Sequence, residues 1–219
     1  MAEDARRWSV SALRLHVVTD AALCGARGVE AVAAAAARGG ATCVQLREKQ
    51  LDTRRFVERA RALKARLAPL GVPLIVNDRV DVALAAGADG VHVGQSDMAV
   101  QDVRRLMPHA LIGLSVENAA QLRAAADAPV DYFGVSPVFA TPSKPDAAPA
   151  LGLDGLRALR SLTCKPLVAI GGIDADNAAA VLDAGADGLA VVRALCAAAD
   201  PAAAAGVLRR IIDRRHPPE

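Results

Sequence analysis

Ala86-Gly87-Ala88-Asp89-Gly90-Val91 returns almost unchanged late in the chain as Ala184-Gly185-Ala186-Asp187-Gly188-Leu189. In each copy the first glycine can end a helix, and the Ala-Asp-Gly turn can feed the strand that follows. A helix-to-strand turn used twice is the joint of a repeated β/α unit, and in a barrel of such units it marks the N-terminal rim. Asp89 and Asp187 are therefore expected to serve stability rather than catalysis.

Outward from this repeat, short apolar runs alternate with segments of helical spacing along the whole chain. The candidate strands are Leu13 to Thr19, Thr42 to Leu46, Pro73 to Asn77, Gly90 to Gly94, Leu111 to Ser115, Tyr132 to Ser136, Leu167 to Ile170 and Gly188 to Val192. The helical segments after them are Gly28 to Arg38, Thr53 to Ala68, Asp81 to Ala86, Met98 to Met107, Asn118 to Ala126, Leu153 to Ser161, Ala175 to Ala184 and Pro201 to Arg214. Continuous apolar strands imply a parallel sheet covered on both faces, and eight β/α units imply a single α/β domain, a closed (β/α)8 TIM barrel. It is expected to span residues 1–219, with 1–12 and 215–219 peripheral. Ala140 to Ala150, with three prolines, reads as a long loop of the lid or binding type.

The composition suits this architecture. Of 219 residues 53% are hydrophobic, yet only three Phe, one Tyr and one Trp are present, so the core must be built from Ala, Val, Leu and Ile. Lys and Arg number 26 against 24 acids, a net charge of +2, which argues against a global nucleic-acid or membrane surface and requires any positive potential to be local. Cys24, Cys43, Cys164 and Cys196 show neither metal-ligand spacing nor the density of a disulfide scaffold, and read as reduced thiols. The N-terminus shows no signal peptide, and the longest apolar stretch, Ala31 to Ala37, is too short to span a bilayer. The expectation is a soluble, cytoplasmic protein with small-molecule partners, its oligomeric state open.

Gln45, Arg47 and Lys49 lie two residues apart at the end of the second apolar run, so on a strand all three leave one face. An unpaired buried charge there would cost several kcal/mol, so the stripe calls for an anionic partner such as phosphate or pyrophosphate. Polar residues gather at the C-terminal end of strand after strand, where barrels of this type keep their active sites: Asn77 and Asp78, Gln95, Ser96 and Asp97, Ser115, then Thr141, Ser143 and Lys144, Gly171-Gly172, and Arg193.

Asp78 and Asp97 follow adjacent strands about 4.8 Å apart, close enough to share a cation. Oxygen ligands on a phosphate-binding rim suit Mg2+, which takes substrate phosphate oxygens as further ligands. Each Asp could instead cap the helix after it; beside Arg47, Lys49 and Lys144, the pair favours a metal. Gly171-Gly172 can bring backbone N–H groups to a phosphate or can simply make a tight turn. Arg193 can add charge there or lie along the barrel exterior. His16 can line the site, His92 reads as a satisfied core imidazole, and His109 and His216 look exposed. No nucleophile–base pattern emerges, which favours a reaction driven by leaving-group stabilisation.

Read in order, Val44-Gln45-Leu46-Arg47-Glu48-Lys49, Ile75-Val76-Asn77-Asp78, Gly90-Val91-His92-Val93-Gly94-Gln95-Ser96-Asp97, Ile112-Gly113-Leu114-Ser115, Pro137-Val138-Phe139-Ala140-Thr141-Pro142-Ser143-Lys144 and Ala169-Ile170-Gly171-Gly172-Ile173 resemble the thiamine-phosphate synthase family over nearly the whole chain. The resemblance implies a transferase that joins an aminopyrimidine methyl pyrophosphate to a thiazole phosphate, or its carboxylate, with loss of pyrophosphate. It implies that Gln45, Arg47, Lys49, Asn77, Ser115 and Lys144 hold the pyrimidine pyrophosphate, with Lys49, Ser115 and Lys144 as the catalytic set, and that Asp78 and Asp97 bind Mg2+. Thr141, Ser143, Gly172 and the backbone at Val192 and Arg193 would hold the thiazole phosphate. In the family the carbon–oxygen bond breaks first, and the thiazole nitrogen captures the resulting cation.

The chain departs from the family pattern at His16, where Tyr is common, at Ser143 for Thr, at Val116-Glu117-Asn118 for a stretch that carries His, and at Arg193 for a small Ser. Two alternatives compete with the reading. One is a thiazole tautomerase on a similar barrel, against which Asp78, Asp97 and Lys144 speak. The other is a barrel that binds a phosphometabolite without turnover.

Overall fold

Each of the eight apolar runs forms a short parallel strand, and in the computed structural model, which describes residues 9–141 and 148–217, they close into a barrel in chain order. The strands are β1 (Leu15–Val18), β2 (Cys43–Leu46), β3 (Leu74–Asn77), β4 (Gly90–Val93), β5 (Leu111–Val116), β6 (Tyr132–Val135), β7 (Leu167–Ile170) and β8 (Gly188–Val191). Pairing of β1 with β8, His16 opposite Ala190, completes the ring. Period two splits the strand residues between two cores. Val18, Cys43, Ile75, Leu111, Tyr132, Val168 and Ala190 fill the barrel interior, with Leu13 beneath them. Val44, Leu46, Leu74, Val76, Val91 and Val93 face outward into the larger core shared with the helices.

The helices are α1 (Ala21–Cys24), α2 (Val29–Arg38), α3 (Thr53–Leu67), α4 (Val80–Ala86), α5 (Val100–Leu106), α6 (Ala119–Ala124), α7 (Gly152–Arg160), α8 (Ala178–Asp183), α9 (Arg193–Cys196) and α10 (Pro201–Asp213). The expected helices are present with ends shifted by up to three residues; α4 and α7 begin one residue earlier than expected, and the other changes are trims. Two single-turn helices, α1 and α9, were not foreseen, because four residues are too few to show a helical period. Asp52, Asn118 and Asp200 cap α3, α6 and α10 by accepting N–H bonds in their first turns.

The lower rim repeats with a period of two strands. Asp89 Oδ2 accepts from Leu74 N at 3.0 Å, Asp131 Oδ2 from Ile112 N at 2.7 Å and Asp187 Oδ2 from Leu167 N at 2.8 Å, while Thr42 Oγ1 accepts from Leu15 N at 2.9 Å. Each even strand thus begins with a side chain that closes the preceding odd one. The three carboxylates also meet Lys64, Arg104 and Arg160 from α3, α5 and α7. Asp89 and Asp187 therefore hold strands together, as their rim position predicts, and Asp131 joins them without belonging to an Ala-Gly-Ala-Asp-Gly repeat.

Of the C-terminal residues expected to be peripheral, the described ones, 215–217, are tied down. Arg14 donates to the carbonyls of His216 and Pro217, Arg215 pairs with Asp183, and the half-buried His216 ring bonds Ala186 O, so His216 is less exposed than its sequence suggests.

Candidate active site

The stripe on β2 is real, and its alternation shows why. Gln45 points into the barrel and is buried. Past the strand end, Thr19 continues the pairing: its N–H donates to Gln45 O at 3.0 Å and its hydroxyl accepts from Arg47 N at 3.0 Å. Arg47 is thereby fixed over the mouth, near Asp20 at 4.0 Å. Glu48, between the two cations, turns outward to Arg59 of α3 at 2.6 Å. Lys49 turns back, its Nζ 2.7 Å from Asp78 Oδ2.

At the C-terminal mouth Gln45, Arg47, Lys49 and Asp78 border one cavity of about 750 Å3, lined also by Asn77, Asp97, Ser115, Thr141, Gly172, Val192 and Arg193. Every site residue expected from the sequence that the structure describes reaches this space; Ser143 and Lys144 lie outside the described residues, as does most of the 140–150 loop. Arg193, at the start of α9, is exposed at the rim rather than laid along the barrel exterior.

The capping alternative for the two acids does not hold. Arg79 and Ala99 occupy the N-cap positions of α4 and α5, and neither helix takes a side-chain cap. Asp97 Oδ2 instead accepts from Gly94 N at 2.7 Å, closing the turn after β4. Asp78 holds a left-handed backbone with φ 63°, alone in this among the described non-glycine residues. Such a conformation costs about 1–3 kcal/mol and persists where surroundings impose it, typically at functional sites. Burial raises the Asp97 carboxyl above its ordinary range against the opposing pull of the Gly94 amide, and the nearby charge of Asp78, which also shares a hydrogen bond with it, adds to the rise. Two carboxylates held this close in a partly dry mouth are a donor set that a divalent cation relieves. Among the described residues no third His, Cys, Asp or Glu joins them.

Gly171 and Gly172 have positive φ, 110° and 63°, and a Cβ on either would strike the segment after β6, at 2.8 Å from Pro137 Cβ and Ala140 O respectively. Val138 N and Phe139 N bond Ile170 O and Gly171 O there. The glycines thus first serve close backbone packing that brings Thr141 to the mouth, and they line the cavity as well.

The floor was only partly legible. His92 is buried and satisfied, as expected, with Nδ1 2.9 Å from the Tyr132 hydroxyl and Nε2 2.8 Å from Ser115 Oγ, yet it also lines the cavity. Burial holds its pKa down to about 4, so it is neutral at physiological pH. Gly113 and Gly134 leave room for these rings: a Cβ on Gly113 would lie 2.2 Å from Tyr132 Cζ and 2.4 Å from His92 Nδ1. Tyr132 was missed; as the chain's one Tyr, in phase with Gly134 and Ser136, it carried a period-two signal. Glu117 and Asp174 also line the space unforeseen. His16 reaches the cavity with neither ring nitrogen paired, a state that costs about 1–3 kcal/mol for each buried group left without a partner.

The profile of the thiamine monophosphate synthase family matches residues 15–195. The chain belongs to that family. It is 59% identical over 214 residues to the thiamine-phosphate synthase of Albidiferax ferrireducens, covering 97% of this chain and 96% of the relative, and 55% identical over 199 residues to that of Chloroflexus aurantiacus, covering 91% and 92%. Among solved structures, the thiamine phosphate pyrophosphorylase from Pyrococcus furiosus superposes with a TM-score of 0.86 at 37% identity over 94% of this chain and 98% of that one. A 3-hexulose-6-phosphate synthase at 22% identity and TM-score 0.67 shares the fold. Family membership makes the chain a transferase of thiamine-phosphate synthesis.

Proposed function

We propose that this cavity joins an aminopyrimidine methyl pyrophosphate to a thiazole phosphate, releasing pyrophosphate. The observation that carries the reading is the meeting of Arg47, Lys49, Asp78 and Asp97 at one mouth above a neutral floor. Asp78 and Asp97 would hold Mg2+, which when bound neutralises charge developing on the departing pyrophosphate. Arg47 and Lys49 bind the same phosphates as fixed cations, with Lys144 expected to join them. As the carbon–oxygen bond breaks, its electron pair leaves on the pyrophosphate oxygen, and these groups stabilise that charge where it develops.

Gln45 and Asn77 would orient the pyrimidine end, and Ser115, its hydroxyl held by His92 and bordering the same cavity, would act there with them. The thiazole phosphate fits the opposite arc of the mouth, where Thr141, Gly172 and the leading N–H groups of α9 after Val192 line the cavity, with Arg193 as an added cation and Ser143 expected to join them. The barrel wall holds the two reactants together, so the thiazole nitrogen attacks the methylene carbon before water does. No residue is needed to abstract a proton, in keeping with two floor imidazoles that burial makes weak bases. Substrates are small molecules, and among the described residues no helix is long and apolar enough to cross a membrane.

The test is reconstitution: purified protein, both substrates and Mg2+, with thiamine phosphate as the readout. Conversion of a thiazole carboxylate phosphate to its isomer without coupling would favour a tautomerase. Tight binding with no turnover would favour a sensor.

A further inference from the structure

We propose that His16 determines specificity for the pyrimidine substrate by hydrogen-bonding the polar edge of its aminopyrimidine ring, an inference that rests on the coupling reaction proposed above. His16 lies on β1, fully buried, and both ring nitrogens lack a partner although the side chain borders the cavity. Buried polar groups in native proteins are nearly always paired, so an orphaned imidazole in the wall of a cavity marks where a ligand supplies the missing partner. No neighbour supplies it: the Tyr132 ring meets His16 edge-on with centroids 5.4 Å apart, and the Tyr132 hydroxyl is engaged by His92.

Position and chemistry select the ligand group. His16 pairs in register with Cys43, and the inward residues above Cys43 on that strand are Gln45 and then Arg47. At about 3.3 Å per residue the cations stand on the order of 13 Å above the His16 level. That span takes a ring, a methylene and the first phosphate in line. With the pyrophosphate held at the mouth, the ring points down at His16. Burial, with a smaller contribution from His92, holds the imidazole pKa down to about 3, so the ring is neutral and offers one donor and one acceptor. A neutral imidazole is a poor phosphate ligand and a good partner for an edge that carries an amino donor beside a ring-nitrogen acceptor. The thiazole has no such edge.

The test compares the pyrimidine pyrophosphate with its analogue lacking the ring amino group, in the wild type and in His16→Phe. In the wild type kcat/KM should favour the amino substrate strongly. In His16→Phe that preference should shrink about tenfold or more, while KM for the thiazole phosphate changes less than about twofold. An undiminished preference, or an equal loss on the thiazole side, overturns the proposal. If His16→Phe does not fold, 15N spectra of histidine-labelled wild type decide. The pyrimidine pyrophosphate should shift the His16 ring resonances and inorganic pyrophosphate should not; identical responses to both overturn it. A wild type that makes no thiamine phosphate would refute the coupling reading itself, an outcome distinct from coupling with unaltered discrimination.

Discussion

Lys49 Nζ lies 2.7 Å from Asp78 Oδ2, joining a cation that follows β2 to an acid that follows β3. With Lys49 54% and Asp78 26% exposed, the pair adds little to stability, so its worth lies in placing opposite charges where a metal-bound pyrophosphate would sit. Asp78→Asn keeps a residue that tolerates the left-handed backbone and removes the charge. Its kcat/KM should fall about 100- to 1000-fold, with the thermal midpoint held within about 2 °C. Full activity would remove Asp78 from the metal assignment.

Asp131 works at the other rim, accepting from Ile112 N and Arg104. Asp131→Ala leaves the Ile112 N–H without its acceptor and should cost about 1–2 kcal/mol, lowering the midpoint by several degrees. KM for both substrates should stay within twofold, a point steady-state kinetics at 25 °C would check. A matching loss of kcat would break the separation between a stabilising and a reactive rim.

Gly113→Ala would drive a methyl into Tyr132 and His92. Overpacking of this kind costs about 1–3 kcal/mol, and displacement of His92 would also release Ser115. Calorimetry should show a destabilised protein, and kinetics a lowered kcat/KM for the pyrimidine substrate. An unchanged midpoint would show that the interior has room the structure denies it.

Acid should weaken the fold through its floor. Burial lowers the folded-state pKa of His16 to about 3 and of His92 to about 4, both below the ordinary 6.5. Below about pH 6.5 the unfolded chain therefore binds protons that the native state refuses, and stability falls as pH drops toward 4. The limiting slope is about 1.4 kcal/mol per pH unit for each imidazole. Denaturant midpoints at pH 7.5, 6 and 5 would trace the decline, and His16→Phe should flatten it. A midpoint constant from pH 7.5 to 5 would mean that neither imidazole is held neutral by burial.

Much of this was legible because the signals are local. A two-residue period put Gln45, Arg47 and Lys49 on one face, and the tertiary contact of Glu48 with Arg59 shows the opposite face taking its own charge. The Asp-Gly turns located the lower rim. Asp131 escaped notice because its preceding residues, Ala128-Pro129-Val130, lack the repeat's glycine, although its carboxylate does the same work. Tyr132 and the double role of His92 escaped notice because contact between strands four, five and six depends on register.

Periodicity, turn residues and motif order were enough to specify eight β/α units, the rim that carries polar side chains, and the family. Barrel closure decided the rest. It brought residues as distant as His16, Asp97 and Arg193 around one cavity, showed that Asp78 and Asp97 cap no helix, and left the buried His16 nitrogens without a partner in the cavity wall. The reason is range: a period or a turn depends on residues a few positions apart, whereas which side chains meet across a barrel depends on how all eight strands align when the ring shuts.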